Sequence, residues 1–177
     1  MALVGLPGSG KTSVGRAAAA ALGRPFLDFD EEIERREGCS VGRIFADRGE
    51  AYFRGLERRL TEEIRAAGEG MILAPGGGWV TVPGALELIR PPGAVIYLAV
   101  LPATALRRMG GLTSRRPLLA GADPLATLTR LFDQRAPLYA AAADAVIDTE
   151  RLELQQVTAS VVAWISLFGG NLVMPAG

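Results

Sequence analysis

Short apolar runs alternate along the chain with longer stretches that have helical periodicity. We predict strands at residues 1–4, 26–28, 71–74, 95–100 and 145–147. Continuous apolar runs of this length are typical of strands buried on both faces of a sheet. Because helical sequence separates each strand from the next, the pattern predicts an α/β fold, in which helices cover both faces of a parallel sheet.

Glycines mark where several of the helices end. We predict helices at residues 11–22 and 50–67, ended by Gly23 and Gly68, and a shorter charged helix at 31–36. The strand and helix at the start of the chain are joined by a glycine-rich turn. This strand, loop and helix form the first structural unit of the predicted fold.

The C-terminal part of the chain has no charged residue after Glu153. Polar residues interrupt it, so we predict a helix that packs by one face and not a membrane span. The apolar positions at helical spacing are Val157, Val161, Trp164 and Phe168. Asp148 and Thr149 are in position to cap this helix, and residues 150–153 are predicted to run straight into it.

The length of 177 residues is enough for one domain. We predict a single domain over residues 1–169 and a loose tail over 170–177. Residues 110–122 have no useful periodicity, but they carry glycines at both ends and Arg115 and Arg116 in the middle. This composition predicts a mobile flap.

The composition excludes several kinds of site. Histidine is absent, which rules out a histidine general base and a histidine-ligated metal. The single cysteine permits no intrachain disulfide and fits a cytoplasmic protein. Basic and acidic residues balance at 19 each, so we expect neither nucleic acid nor a membrane as partner. No long exposed apolar stripe precedes the tail, and a monomer is expected.

The run from Gly5 to Thr12 satisfies the phosphate-loop motif G-x-x-x-x-G-K-[ST], and it lies between a strand and a helix as its mechanism requires. Backbone N–H groups can surround a phosphate there, Lys11 reaches the outer phosphates and Thr12 can ligate Mg²⁺. We expect nucleotide binding by Gly8, Ser9, Gly10, Lys11, Thr12 and Ser13. The plainer alternative is a glycine turn that only joins two elements.

Asp28 and Asp30 follow the second predicted strand. Residues two apart at a strand end point to the same side, so both carboxylates can face the crevice above the phosphate loop. This suggests one carboxylate for Mg²⁺ and one for a hydroxylated substrate. A helix N-cap is the alternative role of Asp30.

Three further groups are weaker candidates by themselves. Arg54 and Glu57 lie three apart on one helix face, as in a surface ion pair. Three successive glycines follow the third strand and permit a backbone to touch a ligand, although they also suit a flexible turn. Arg135 lies where an arginine ordinarily complements a helix dipole.

Taken in order, these segments resemble the shikimate kinase family over about residues 3–149. The resemblance rests on the phosphate loop, Asp28-Phe29-Asp30, Ile44-Phe45, Gly49-Glu50, Phe53-Arg54, Glu57, Gly76-Gly77-Gly78, Arg116-Pro117-Leu118-Leu119, and Arg135 before Pro137-Leu138-Tyr139. It implies a three-layer P-loop kinase fold related to the nucleoside monophosphate kinases, with strand order 2-3-1-4-5. It also implies transfer of the γ-phosphoryl of ATP to the 3-hydroxyl of shikimate.

The resemblance implies a role for each matching position. Lys11 would bind phosphates, Thr12 would hold Mg²⁺ directly and Asp28 would hold it through water. Asp30 would bind the acceptor hydroxyls and help to deprotonate one of them. Arg54 and Arg135 would clamp the carboxylate, with Glu57 orienting Arg54. Backbone contacts would come from Gly76, Gly77 and Gly78.

Other positions would bind the nucleotide or differ from the family pattern. Arg108 would stack on adenine, with Arg107 as a competitor for that role. Arg116 would close over the transferring phosphoryl, an effect worth about 10³ to 10⁵ in rate, with Arg115 beside it as an extra arginine. Trp79 is bulky and is placed to narrow the acceptor site.

Two other functions remain open from the sequence alone. Another small P-loop kinase of a carboxylated polyol, such as a gluconate kinase, could use the same residues. A non-catalytic, shikimate-kinase-like sensor domain could bind a ligand without turnover, although such a module could lose Asp28, Asp30 or the flap arginine, and this chain keeps all three.

Overall fold

The computed structural model describes residues 1–68, 70–110, 119 and 123–168. The strands are β1 (Ala2–Val4), β2 (Phe26–Asp28), β3 (Ile72–Ala74), β4 (Val95–Ala99) and β5 (Ala145–Asp148). The helices are α1 (Lys11–Leu22), α2 (Phe29–Glu37), α3 (Val41–Ala67), α4 (Ala85–Ile89), α5 (Pro102–Met109), α6 (Pro124–Ala142) and α7 (Leu154–Phe168), and Trp79–Thr81 forms a 3₁₀ turn.

The five strands form one parallel sheet with the order β2-β3-β1-β4-β5. This confirms both the predicted α/β class and the strand order that the resemblance implied. β1 is central, with Val4 in register with Tyr97 of β4 and Ala2 with Leu73 of β3. The phosphate loop therefore leaves the middle of the sheet, at the edge where the carboxyl ends of all five strands lie.

Alternating side chains divide the core into two layers. Ala2 and Val4 belong to the cluster on one face of the sheet, and Leu3 belongs to the cluster on the other. α1 and α7 cover the Leu3 face, whereas α2 to α6 supply the opposite cluster. Each fully buried leucine or isoleucine in these layers contributes about 1.5 to 3 kcal/mol.

Two helices begin earlier than the sequence predicted. α2 starts at Phe29 because the carboxylate of Asp28 accepts a hydrogen bond from the Glu31 N–H, 3.2 Å away, and caps the helix. α3 starts at Val41, where Ser40 caps it in the same way. The predicted start at residue 50 reflects a break inside this helix, since Gly49 adopts φ 79°. The apolar residues that fix the missed first part are Val41 and Ile44, both buried.

The segment before α7 also differs from the prediction. Residues 150–153 form a turn and a short loop, and the helix begins only at Leu154. Asp148 accepts from the N–H of Glu150, and the Thr149 hydroxyl donates to the carbonyl of Ala99. Neither side chain therefore caps α7, because Asp148 is used within the turn and Thr149 binds the end of β4.

α7 packs by one face, as predicted, and the placement of Val157 and Val161 on that face is confirmed, whereas the placement of Phe168 there is wrong. Val157, Val161 and Ile165 are buried against α1, whereas Phe168 is 60% exposed. The rings of Trp164 and Phe168 pack against each other at a tilt, with centroids 5.5 Å apart. Within the described ranges no helix is long and apolar enough to cross a membrane. The predicted tail, 170–177, lies outside the described residues.

Candidate active site

The phosphate loop bends tightly between β1 and α1. Gly8 and Gly10 have φ values of 83° and 96°, which side-chain-bearing residues rarely adopt. A Cβ at Gly8 would also collide with the carbonyl oxygen of Ala105 in α5. Lys11 is 9% exposed, and its Nζ donates to the carbonyls of Gly5 and Leu6, each 3.0 Å away. The lysine is thereby held directly over the loop.

Thr12 and Asp28 meet beside this loop. The Thr12 hydroxyl donates to Oδ2 of Asp28 over 2.6 Å, while Oδ1 of Asp28 receives the N–H of Glu31. A hydroxyl and a carboxylate at a phosphate-binding helix N-terminus are the oxygen donors that Mg²⁺ takes in such sites, with water and phosphate oxygens as its other ligands. These two residues therefore fit the metal role that the sequence predicted. Within the described part of the chain no cluster of three acidic or cysteine ligands offers another metal site.

A cavity of about 670 Å³ opens over the loop and continues along α1. Its walls include residues 8–14 of the loop and helix, Asp28 and Asp30, and residues 150–154. The Ser9 hydroxyl is buried in the loop and has no hydrogen-bond partner among the described residues. A polyanion lying along this loop would supply the missing acceptor, and the cavity volume suits a ligand of nucleotide size.

The far end of the cavity is organised by Arg108 of α5. Its guanidinium donates to the hydroxyl and carbonyl of Thr149 and to the carbonyl of Leu152, so it holds the 149–152 loop against α5. Arg107 also lines the cavity, but it donates to the hydroxyl of Thr104. The missed loop at 150–153 therefore forms one wall of the candidate nucleotide cavity.

The triple-glycine turn after β3 has a different close neighbour at each glycine. A Cβ on Gly76 would lie 2.7 Å from Oε1 of Glu57 and 3.3 Å from Oδ1 of Asp30. One on Gly77 would lie 3.0 Å from the ring of Pro7 in the phosphate loop, and one on Gly78 would collide with the Arg54 guanidinium. The triple-glycine turn therefore lies against the phosphate loop, the carboxylates of Glu57 and Asp30, and the guanidinium of Arg54.

Arg54 is neutralised on α3 itself. It donates to Glu57 over 2.5 Å and to Glu50 over 2.7 Å. Glu57 is fully buried, and burial raises the pKa of its carboxyl to about 7 although Arg54 pulls the other way and Asp30 adds to the rise. The predicted surface ion pair is thus a buried pair beside the turn, and Glu57 fixes the direction of the guanidinium.

Arg135 approaches the same turn from α6. It is 8% exposed, and no carboxylate of the described residues lies within salt-bridge distance of it. Tyr139, one helical turn further on, donates its hydroxyl to the carbonyl of Gly77, and the positive charge of Arg135 acts on that hydroxyl electrostatically. Arg54 also acts on that hydroxyl electrostatically, so both arginines lie near the turn.

Comparison with known proteins decides the family to which this arrangement belongs. The sequence profile of the shikimate kinase family matches residues 7–166. The chain is 45% identical over 161 residues to a shikimate kinase of Symbiobacterium thermophilum, covering 90% of this chain and 92% of that protein. It is 40% identical over 177 residues to one of Thiobacillus denitrificans, covering 99% and 96%. The chain belongs to the shikimate kinase family.

Solved structures agree with that membership. The shikimate kinase of Acinetobacter baumannii, solved in complex with shikimate, superposes with a TM-score of 0.88 at 36% identity, covering 94% of this chain and 92% of that one. A gluconokinase of Sinorhizobium meliloti is 18% identical with a TM-score of 0.58, covering 97% and 94%, and shares the fold alone. The family is therefore that of an ATP-dependent kinase, and the gluconate kinase alternative is not favoured.

Within this shikimate kinase fold, most of the predicted site residues lie at one edge of the sheet. The residues brought together there are Gly8, Ser9, Gly10, Lys11, Thr12, Ser13, Asp28, Asp30, Arg54, Gly76, Gly77, Gly78, Arg108 and Arg135. Asp30 reaches the site from the first turn of α2, and not from a strand end as predicted, because Asp28 ends the strand and caps the helix. Arg115 and Arg116 lie outside the described residues, as does most of the predicted flap; Leu119 is described and is buried in the core.

Trp79 does not narrow the site. Its side chain is 1% exposed, and Nε1 donates to the hydroxyl of Thr61 in α3. The Thr61 hydroxyl donates in turn to the carbonyl of Glu57. The tryptophan that follows the triple glycine therefore packs into the core and ties the turn to the helix that carries Arg54 and Glu57.

Sequence reasoning missed two functional features. Tyr139 was noted only as part of a motif, although its position four residues after Arg135 predicts that the two side chains meet on one helix face. The loop at 150–153 was missed because its charged sequence is compatible with a helix. The residue that could have predicted this loop is Asp148, because an aspartate carboxylate that accepts a hydrogen bond from the N–H two residues ahead favours a turn.

Proposed function

We propose that the protein transfers the γ-phosphoryl of ATP to the 3-hydroxyl of shikimate with the residues described above. The observation that carries this assignment of roles is the meeting of Asp30, Arg54 and Arg135 around one glycine turn that also contacts the phosphate loop. A small hydroxylated carboxylate bound at this turn would lie beside the phosphates of a nucleotide. That is the arrangement needed for direct phosphoryl transfer.

On the acceptor side, the two arginines bind the carboxylate and Asp30 binds the hydroxyls. Forked guanidinium donors match the two oxygens of a carboxylate, and a fixed carboxylate accepts hydrogen bonds from hydroxyl groups. The glycines from Gly76 to Gly78 leave the backbone open to the acceptor. A side chain at Gly76 or Gly78 would collide with Glu57 or Arg54, and one at Gly77 would be in tight contact with Pro7.

On the nucleotide side, the phosphate-loop N–H groups and Lys11 bind the phosphates, and Arg108 lies against the base. Thr12 would hold Mg²⁺ directly and Asp28 through water. When bound, the metal offsets negative charge on the phosphates. The buried Ser9 hydroxyl, which has no hydrogen-bond partner in the described part of the chain, supports the presence of an oxygen-rich ligand along the loop.

During transfer, Asp30 orients the 3-hydroxyl and takes its proton while the oxygen attacks the γ-phosphorus. The bond from that phosphorus to the bridging oxygen breaks, and ADP leaves. Lys11 stabilises the charge that develops on the phosphoryl oxygens. Arg116 of the flap is proposed to add to this stabilisation, on the grounds of the family resemblance alone.

The deciding experiment is a screen of ATP turnover with shikimate, with gluconate and without an acceptor. We expect ADP release that depends on shikimate, with product phosphorylated at the 3-hydroxyl by NMR. ADP release that depends on gluconate and not on shikimate would identify gluconate as the acceptor. Shikimate binding without ADP release would favour the sensor function. Loss of turnover in the presence of a chelator, restored by added Mg²⁺, tests the role of Thr12 and Asp28.

Two further proposals concern the setting of the enzyme. We propose that it acts in the cytoplasm, which is supported by the single cysteine of the chain. We also propose that it acts as a monomer, since the sequence has no long exposed apolar stripe before the tail. Sedimentation with and without ATP would test the second proposal.

A further inference from the structure

Tyr139 lies at the junction of three parts of the site. Its hydroxyl donates to the carbonyl of Gly77 in the triple-glycine turn, and its ring packs on Tyr97 of β4 with a centroid separation of 5.1 Å. Arg135, also buried, lies four residues earlier on the same face of α6, and its charge acts on the hydroxyl. Tyr97 is in register with Val4, the last residue of the strand that leads into the phosphate loop. The tyrosine is 1% exposed, so its hydroxyl has little contact with water.

The hydrogen bonds of this hydroxyl run in one direction. A phenol has one proton to donate, and the carbonyl of Gly77 takes it. The remaining lone pairs can only accept, and the guanidinium of Arg135 can only donate. Burial raises the pKa of Tyr139 above its ordinary value, so the proton stays on the hydroxyl and the direction of donation does not change near neutral pH.

Arg135 needs a partner of this kind. Its long side chain has several rotamers, and fixing them costs conformational entropy. A carboxylate would hold the guanidinium but would also neutralise it and compete with the carboxylate of an acceptor. A neutral hydroxyl holds it and leaves its charge available, in contrast to the carboxylates that pair with Arg54.

We infer that Tyr139 is a positioning residue for the acceptor: anchored to the carbonyl of Gly77, it holds the guanidinium of Arg135 beside the triple-glycine turn. Tyr139 does not touch the reacting atoms, and its effect reaches the acceptor through Arg135. The inference rests on the proposed function in one respect, namely that the carboxylate of shikimate is the ligand of Arg135.

The first test is Tyr139→Phe, which removes the hydroxyl and keeps the ring on Tyr97. We expect the KM for shikimate to rise about 10-fold, in line with the loss of a hydrogen bond to a charged group. The KM for ATP and kcat should stay within about 2-fold of wild type, because neither depends on where Arg135 points. Circular dichroism and the melting temperature show whether the variant is folded.

Tyr97→Phe is the matched control. It removes a hydroxyl from the other ring of the same pair, and among the described residues that hydroxyl makes no hydrogen bond to Gly77 or Arg135. We expect wild-type KM values for both substrates. A rise in the shikimate KM in this control equal to that in Tyr139→Phe would assign the effect to packing and overturn the inference.

A double-mutant cycle tests whether the effect passes through Arg135. Arg135→Met removes the guanidinium and keeps most of the aliphatic volume of the side chain. In this background we expect Tyr139→Phe to change kcat/KM for shikimate by less than about 2-fold, since coupled residues are not additive. A full 10-fold loss in the Arg135→Met background would show independent action and would overturn the inference.

The remaining outcomes are also distinguishable. If wild-type protein releases no shikimate-dependent ADP, the proposed function fails and the Tyr139 variants are not the cause. If the wild type phosphorylates shikimate and Tyr139→Phe matches it in every constant, the inference alone fails. If the KM values for ATP and shikimate rise together in Tyr139→Phe, Tyr139 has a structural role only, and the inference fails as well.

Discussion

The two halves of the site are built in different ways. The nucleotide half comes mostly from consecutive residues, 5–13, whose backbone forms the cradle as it leaves β1. The acceptor half is assembled from α2, α3, the turn after β3 and α6, and its residues are far apart in the chain. A local motif therefore determines the first half, whereas the packing of four segments determines the second.

Within the acceptor half, the two arginines also differ in how they are held: Arg54 by carboxylates on its own helix, and Arg135 by no carboxylate of the described residues. Arg54 is paired with two carboxylates of its own helix, one of which is fully buried. Arg135 has no such partner in the described part of the chain, and Tyr139 is the residue proposed to hold it. The difference means that Arg54 contributes both to the fold and to the site, whereas Arg135 is available mainly to a ligand.

The largest expected effect is on kcat, for a substitution of Asp30, which lies between the nucleotide half and the acceptor half of the site. Asp30→Asn should lower kcat by about 10² to 10⁴, because an amide cannot take the proton of the attacking hydroxyl. ATP binding, measured by calorimetry, should stay within about 2-fold of wild type. Full activity would exclude Asp30 as an essential base, and equal losses of ATP binding and turnover would remove the distinction between the halves.

The contrast between the two arginines can be tested with matched variants. Arg54→Met and Arg135→Met should each raise the KM for shikimate about 100-fold and leave the KM for ATP unchanged, since each removes a charged contact to the acceptor. Only Arg54→Met should also lower the free energy of unfolding, by about 3 kcal/mol, because it leaves buried Glu57 without its counter-ion.

Urea denaturation at about pH 8, where Glu57 is ionised, measures that second effect. For Arg135→Met we expect a change of about 1 kcal/mol or less, which corresponds to one hydrogen bond. Equal destabilisation by the two variants would contradict the distinction drawn here between the arginines.

The buried carboxyl of Glu57 predicts a pH dependence of stability. Burial holds its pKa at about 7 in the folded protein, against an ordinary value of 4.5. The folded state therefore keeps a proton that the unfolded state has lost, so the contribution is present below about pH 4.5 and is lost as the pH rises through about 7.

Glu57→Gln should remove this dependence. Relative to the variant, the wild type should lose about 2 to 3 kcal/mol of unfolding free energy between about pH 5 and pH 8. The control is Glu62→Gln, an exposed carboxylate of the same helix, which should leave the slope unchanged. Parallel curves for wild type and Glu57→Gln would show that Glu57 stays ionised throughout.

The smallest expected effect concerns Trp79. Trp79→Phe removes the hydrogen bond to Thr61 and part of a buried ring, and should lower the free energy of unfolding by about 2 kcal/mol. Because the ring packs in the core, the KM values for both substrates should not change. A lower KM for shikimate in this variant would mean that Trp79 does restrict the acceptor site.

The contrast between a local nucleotide half and an acceptor half assembled from distant segments also explains which features the sequence could predict. The sheet and the phosphate loop could be predicted because contiguous apolar runs and one local motif encode them. The grouping of Asp30 with Arg54 and Arg135 came from the family resemblance, and the geometric reason given for Asp30 was wrong, since it lies in a helix. Periodicity alone does not show which distant helices share a turn.

The helix boundaries were missed for local reasons. Gly49 suggests an end of a helix, but caps and apolar contacts on both sides let α3 continue through it with a bend. The 150–153 loop depends on Arg108, which is more than 40 residues away and donates to the carbonyls of Thr149 and Leu152. Tyr139 acquires its role only when Gly77 is brought to α6, and nothing in the local sequence specifies that contact.

The triple-glycine turn sets a limit on how this enzyme can be redesigned. Even a single methyl group would meet a different obstacle at each of its three positions: Glu57, Pro7 or Arg54. Each substitution in the turn would therefore have to displace a group of the site. Arg135 on α6 is a better starting point for a change of specificity towards an uncharged acceptor, because replacing it changes the charge of the pocket and adds nothing to the turn.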